Sequence, residues 1–342
     1  MSRTRTVSAV AALAAVGAMM AGCSAGEDAK ASGTTTKAQT LEIDYATYNP
    51  LSLVIKDKGW LEQALGEDVK VTWVFSAGSN KANESLRAGA VDVGSTAGSA
   101  ALLARSNGSP IQVIDLFSQP EWSALVTRPD SGVAGVDDLA GRSVAATKGT
   151  DPYFVLLQAL DEAGVAPGDV TVQNLQHADG RRALDNGDVD AWAGLDPIMA
   201  DAERGGDVLF YRNVDFNSYG FLNATEDFLE NQPEVAQTVV DVYEYARQWA
   251  LEHPEETAQI LATEADIDPE VATAVLQRTH LDIDNVPGQK QLDVLRGIGP
   301  FFVANGDVKN QAQVDDALGT IVHADLAEHA DASRVAGALE KQ

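Results

Sequence analysis

The chain has 342 residues, 24 Lys plus Arg against 51 Asp plus Glu, and a formal net charge of −27. That length fits about two domains, each able to bury a core, and the acidity repels nucleic-acid phosphates and anionic headgroups, so nucleic acid is not an expected partner. One cysteine, Cys23, leaves no intramolecular disulfide, and the five histidines lack zinc-motif spacing, so neither metal nor cofactor is expected.

Arg3 and Arg5 precede an apolar run from Val7 to Ala21, too short to span a bilayer, and small residues follow. Residues 1–22 therefore read as a signal peptide. Met20-Ala21-Gly22-Cys23 resembles the lipobox of bacterial lipoproteins, with Met20 where Leu is commoner. The resemblance implies cleavage before Cys23 and lipid on its sulfur. Residues 23–40 then form a lipidated N-terminus and flexible tether. The expected location is the outer face of the bacterial cytoplasmic membrane.

From Leu41 short β-rich runs alternate with helical patterns, which indicates an α/β fold with largely parallel sheets. Strands are expected at 41–46, 69–75, 90–93, 111–117, 124–126 and 143–146, and helices at 51–58, 81–88, 100–107 and 151–163. Asp151 and Pro152 start the last helix as N-cap and first helical residue. After Phe228 the spacing is helical over 233–251, 254–263, 269–279, 289–304 and 311–321. Leu86 to Asp92 and Leu184 to Asp190 both read L-x-x-G-x-V-D, which suggests two similar lobes.

In open α/β sheets ligands bind beyond the carboxyl ends of the strands. Four strand-to-helix loops are rich in Gly, Ser, Thr and Asn and suit helix N-termini that bind anions. They supply Tyr48 and Asn49; Ser76, Gly78, Ser79 and Asn80; Thr96, Ala97, Gly98 and Ser99; and Lys148, Gly149, Thr150 and Asp151. Nearby, Glu121, Trp122, Tyr153, Trp192 and Asp196 are candidates for walling a pocket or holding an ammonium group. The same residue types also serve as caps, core and hinge contacts.

Taken together, Asn49 to Val54, Lys58 to Leu61, Ser76 to Ser79, Leu86 to Gly94, Ala124 to Val126, Asp138 to Arg142, Lys148 to Thr150 and Asp188 to Pro197 resemble the aliphatic sulfonate, taurine and nitrate substrate-binding proteins of ABC importers. The resemblance covers roughly residues 41–280. It implies a two-lobe type 2 periplasmic-binding fold with the ligand cleft between lobes. Lobe 1 would hold 41–127 and 223–342, and lobe 2 would hold 128–222, with crossovers near Arg128 and Tyr219–Asn223. It also implies a small organic anion as ligand, an aliphatic sulfonate first, with taurine, a nitrate-like anion or a heterocycle as alternatives. A monomer docking on an ABC permease is expected, and catalysis is not. An enzyme on the same scaffold and a surface adhesin are the competing readings.

Overall fold

A computed structural model describes residues 39–340. The expected signal peptide, Cys23 and the tether up to residue 38 lie outside the described residues. The last two residues of the expected tether begin the first strand.

The chain opens with β1 (Gln39–Tyr45), α1 (Pro50–Lys58), α2 (Trp60–Leu65), β2 (Val69–Phe75), α3 (Ser79–Arg87), β3 (Val93–Ala97), α4 (Gly98–Ser106) and β4 (Ile111–Pro120). It crosses to β5 (Ser123–Thr127), β6 (Ser143–Ala146), α5 (Asp151–Glu162), β7 (Thr171–Asn174), α6 (His177–Asn186), β8 (Ala191–Leu195), α7 (Ile198–Arg204) and β9 (Val208–Tyr211). It returns through β10 (Gly220–Thr225), α8 (Glu226–Asn231), α9 (Pro233–Glu252), α10 (Pro254–Ala265), α11 (Pro269–Gln277) and β11 (Thr279–His280). The chain then ends in α12 (Gln289–Ala304), α13 (Gln311–Thr320), α14 (Asp325–Glu328) and α15 (Ser333–Leu339). Prolines stand in the first turns of α1, α5, α9, α10 and α11, where the missing N–H costs nothing. Thr150, not Asp151, is the N-cap residue of α5, and Asp151 is its first helical residue.

Two sheets carry the fold, in the orders β11-β4-β10-β3-β1-β2 and β7-β6-β8-β5-β9. They repeat one plan. β1 lies between parallel β2 and β3, as β6 lies between parallel β7 and β8. The next strand outward is antiparallel in both sheets, β10 in the first and β5 in the second. The L-x-x-G-x-V-D echo is part of this plan. Its first aspartate, Asp92, accepts from the Glu42 N–H of β1 at 2.9 Å. Asp190 accepts from the Ser143 N–H of β6 at 2.9 Å.

The crossovers depart from expectation. Ala124–Val126, assigned to the first lobe by sequence, lies in β5 and pairs with β8 and β9 of the second sheet. The chain thus changes sheets at Glu121–Trp122, ahead of Arg128, and returns over residues 212–219. The sequence misleads here because each sheet is completed by a strand that follows a crossover. The expected strand at 90–93 is also displaced. Ser95, Thr96 and Ala97 lie inside β3, fully buried, although their small polar character reads as loop.

The core is continuous across both halves. Leu102 of α4, Phe154 of α5, Leu295 and Phe302 of α12, and Val314 of α13 share one buried cluster. Phe154 and Phe302 meet with ring centroids 4.7 Å apart. The C-terminal helices therefore brace α5 as well as α4. Arg247 of α9 is buried and donates to the carbonyls of Phe117 (3.1 Å) and Leu281 (2.9 Å), tying β4 to the C-terminal helices. Among the described residues no helix is long and apolar enough to cross a membrane.

Candidate functional site

Helix starts decide where an anion can sit, because their first N–H groups lack intrahelical partners. Two of the candidate starts are already closed. The Asn49 side chain caps α1 by accepting from the Ser52 N–H (3.2 Å), while its amide donates to the hydroxyls of Ser95 (2.8 Å) and Tyr243 (3.2 Å). Asn49 is thus spent within the fold, as is Tyr48, whose hydroxyl donates to the Ser95 carbonyl at 2.8 Å. The start of α4 is covered by the return crossover. The Gly98 N–H reaches the Ser218 carbonyl (3.2 Å), and the Ser99 N–H reaches Ser218 Oγ (2.8 Å). A Cβ on Gly98 would stand 2.3 Å from the Ser218 carbonyl oxygen, so this approach requires glycine. Thr96 accepts from the Asn223 amide (2.8 Å), and Ser79 Oγ accepts from the Ala97 N–H (2.9 Å). Of the third loop, Thr96, Ala97, Gly98 and Ser99 all belong to this interior network.

Asp151 is the centre of a second network. It is 1% exposed and accepts from Ser99 Oγ (2.6 Å), Ser218 Oγ (2.6 Å), the Ser218 N–H (3.2 Å) and Trp122 Nε1 (2.9 Å). Burial pushes its carboxyl up, against the pull of the bonds from Ser218, Ser99 and Trp122. These four bonds join α5 to α4 and to both crossovers. Trp122 completes the contact by packing edge-on to Tyr48, with ring centroids 6.0 Å apart. Glu121 pairs with Arg212 across the two crossovers (2.6 Å), and Asp196 accepts from Nε and Nη2 of Arg278 (2.6 and 3.0 Å). All three carboxylates are therefore engaged by the protein itself. Trp192 is fully buried in the core of the second half with Ala124, Leu184 and Met199. Its indole also presses on Gly180, where a Cβ would meet it at 2.8 Å. It walls no cleft. Tyr153 packs against Phe154 inside the shared core, with its ring 5.8 Å from the Lys148 ammonium.

Two other helix starts remain open and face each other. α3 and α6 have no side-chain cap at Gly78 and Gln176. A Cβ on Gly78 would lie 3.1 Å from His177 Nε2, and one on Gly149 would lie 3.8 Å from Asn80 Cβ. The starts of α3 and α6 and the loop before α5 thus meet in one junction. Around it, Ser76 Oγ, Asn80 Oδ1, Gln176 Oε1 and His177 Nε2 are buried atoms with no hydrogen-bond partner among the described residues. Burying such atoms unpaired costs about 1–3 kcal/mol each, so the junction is built to receive polar groups. Lys148 stands exposed at its rim, its N–H held by Asn174 Oδ1 (3.0 Å), and Thr150 donates to the Thr147 carbonyl (2.6 Å). A cavity of about 210 Å³ opens beside Asn80 and Gly149, with Asn83, Arg87 and Leu103 along its wall.

His177 is the residue that sequence reasoning passed over. It is 2% exposed, and burial alone holds its imidazole down at about 4. No motif surrounds it; only its position after β7, equivalent to Ser79 after β2, marks it. Beneath the junction lies Asp44 of β1, fully buried. Its Oδ1 accepts from the Ser95 N–H and Oγ, both at 2.8 Å, while Oδ2 has no partner. Burial pushes this carboxyl up to about 7 despite the two hydrogen bonds from Ser95.

Comparison with known proteins gives a consistent picture. A family model described as NMT1/THI5 like matches residues 51–257. A protein of Bacillus subtilis (strain 168) named for binding aliphatic sulfonates is 31% identical over 274 residues, covering 78% of this chain and 81% of the relative. A protein of the same name from Escherichia coli (strain K12) is 28% identical over 227 residues, covering 66% and 71%. Among solved structures, the alkanesulfonate-binding protein from Xanthomonas axonopodis pv. citri bound to MOPS shares the fold. It has a TM-score of 0.74 and 22% identity, with 81% of this chain and 97% of that one covered.

Two outcomes are expected. Gly78→Ala puts a methyl 2.9 Å from Asn80 Oδ1 and 3.1 Å from His177 Nε2, so both side chains must shift and ligand affinity should fall at least tenfold, about 1.4 kcal/mol, in protein that is checked to be folded. Equal affinity by calorimetry would separate Gly78 from the site. For Asp44, a folded-state value near 7 against about 3.9 unfolded means its stabilisation is complete below pH 4 and lost as pH rises to 7. Asp44→Asn should therefore gain on the native protein by up to about 1.4 kcal/mol per pH unit between pH 4 and 7, then level off. A stability difference constant from pH 5 to 8 would show that Asp44 does not titrate in that window.

Proposed function

The chain belongs to the NMT1/THI5-like family, and from that premise we propose that it is an extracytoplasmic solute-binding protein for a small aliphatic sulfonate. It takes the anion between the two halves of the fold and passes it to an ABC permease in the membrane. The observation that carries this reading is the junction of the open α3 and α6 starts. Each helix start contributes roughly half a positive charge and free N–H groups, so two of them facing one another suit a trigonal anionic head despite the net charge of the chain. Asp151 already occupies the first turn of α5, which leaves the anion to α3 and α6. The relatives' names supply the sulfonate. The protein works as a monomer held at the outer face of the cytoplasmic membrane by lipid on Cys23.

The test is thermal unfolding of protein stripped of carried-over ligand, against alkanesulfonates, taurine, sulfate, nitrate and pyrimidines. An alkanesulfonate at a hundredfold its Kd should stabilise by about 2.7 kcal/mol, several degrees in Tm, and be recovered unchanged. A shift with a heterocycle alone would discard the sulfonate, and consumption of the ligand would favour an enzyme. Separately, Cys23→Ser should move the protein from the membrane fraction to the soluble one; retention in the membrane would contradict the lipid anchor.

A further inference from the structure

The hydrogen bonds around His177 fix which of its nitrogens carries the proton. Thr147 Oγ1 donates its only proton to the Leu175 carbonyl at 2.7 Å. The same oxygen lies 3.2 Å from His177 Nδ1, so it must accept there, and Nδ1 is the protonated nitrogen. A neutral imidazole has one such proton. Nε2 is therefore a bare lone pair, buried, without a partner, and aimed at Gly78 and the start of α3. A sulfonate is ionised at all ordinary pH and offers only acceptor oxygens. Lone pair would face lone pair at the place where both helix starts draw the anion.

We propose that sulfonate binding takes up one proton at His177 Nε2, converting the imidazole to an imidazolium that donates to the ligand. This rests on the sulfonate reading above. The proton comes from solvent; Nδ1–H stays on Thr147, and the new Nε2–H goes to a sulfonate oxygen. In the free protein burial and the two helix starts disfavour the cation, and His177 is neutral. The bound anion reverses that balance. Of the charged side chains on the surrounding elements, Arg87 closes the far end of α3 and lines the neighbouring cavity together with Glu84. Lys81 and Glu84 of α3 pair with each other at 2.8 Å, and Arg182 pairs with Asp179 on α6 itself. Arg181 pairs with Asp185 at 2.7 Å, Lys148 is exposed on the loop before α5, and Asp44 lies below Ser76. The histidine thereby makes capture favour acidic surroundings and favours ligands that are pure acceptors at that end.

Calorimetric titration of the purified protein with 1-butanesulfonate, in non-sulfonate buffers of different ionisation enthalpy, reads the proton directly. The native protein should take up a proton on binding. Its Kd should tighten as pH falls from 8 to 6, by up to about tenfold per unit. His177→Gln should bind with no uptake and a flat Kd, and Asp44→Asn should keep the uptake. Should the glutamine variant fail to fold, the imidazole carbon-bound proton resonances of His177 in the native protein serve instead. Their titration midpoint should rise from about 4 in the free protein to about 7 or above when butanesulfonate is added. Binding with no uptake by the native protein, uptake that persists in His177→Gln, or an unmoved midpoint overturns the proposal and leaves the sulfonate reading standing. Absence of butanesulfonate binding at every pH overturns both.

Discussion

The arrangement of this protein depends on one buried carboxylate. Asp151 gathers donors from α4, from Trp122 in the first crossover and from Ser218 in the second. A carboxylate this deep persists only because its oxygens are met by hydrogen bonds; unpaired, its burial would cost several kcal/mol. Once it is met, α5, α4 and both crossovers have a fixed relation. The same bonds bring Ser218 over the start of α4 and close it. What stays open is then determined: the starts of α3 and α6.

Those two helices are equivalents under the internal repeat. α3 follows β2 and leads through Leu86–Asp92 into β3; α6 follows β7 and leads through Leu184–Asp190 into β8. The repeat therefore sets two like helix ends against each other across the boundary between halves. Their dipoles add at one point and would repel if nothing lay between them. An anion relieves that repulsion, and of the unpaired atoms beside it the Ser76 hydroxyl and, once protonated as proposed, His177 Nε2 are the ones able to donate. A chain so acidic overall can still hold an anion, because the decisive charges are fixed and local while the surface charge is screened within about 10 Å in 0.1 M salt.

Much of the fold is legible in the sequence because it rests on short-range rules. Alternation marks β2, prolines mark the helix starts, and Gly59 marks the end of α1. The candidate site is less legible, because caps, latches and ligand contacts draw on the same residue types. Asn49 and Ser99 look like binding residues and are consumed by Ser52, Tyr243, Asp151 and Ser218. Trp192 looks like a pocket wall and is core. β3 looks like a loop, since Ser95 and Thr96 are polar; only tertiary partners, Asp44 and Asn223, make them tolerable inside a sheet. His177 gives no signal alone. Its meaning lies in the internal repeat, whose offset between Leu86 and Leu184 also carries Ser79 onto His177, and the strand order gives that alignment its physical sense.

The most direct test of this account is a crystal structure of the protein with 1-butanesulfonate. The account predicts sulfonate oxygens at hydrogen-bond distance, about 2.7–3.2 Å, from the free N–H groups opening α3 and α6 and from His177 Nε2, with Asp151 still bonded to Ser99, Ser218 and Trp122. A sulfonate bound elsewhere, for instance against Trp192 or with Asp151 released from its partners, would contradict it.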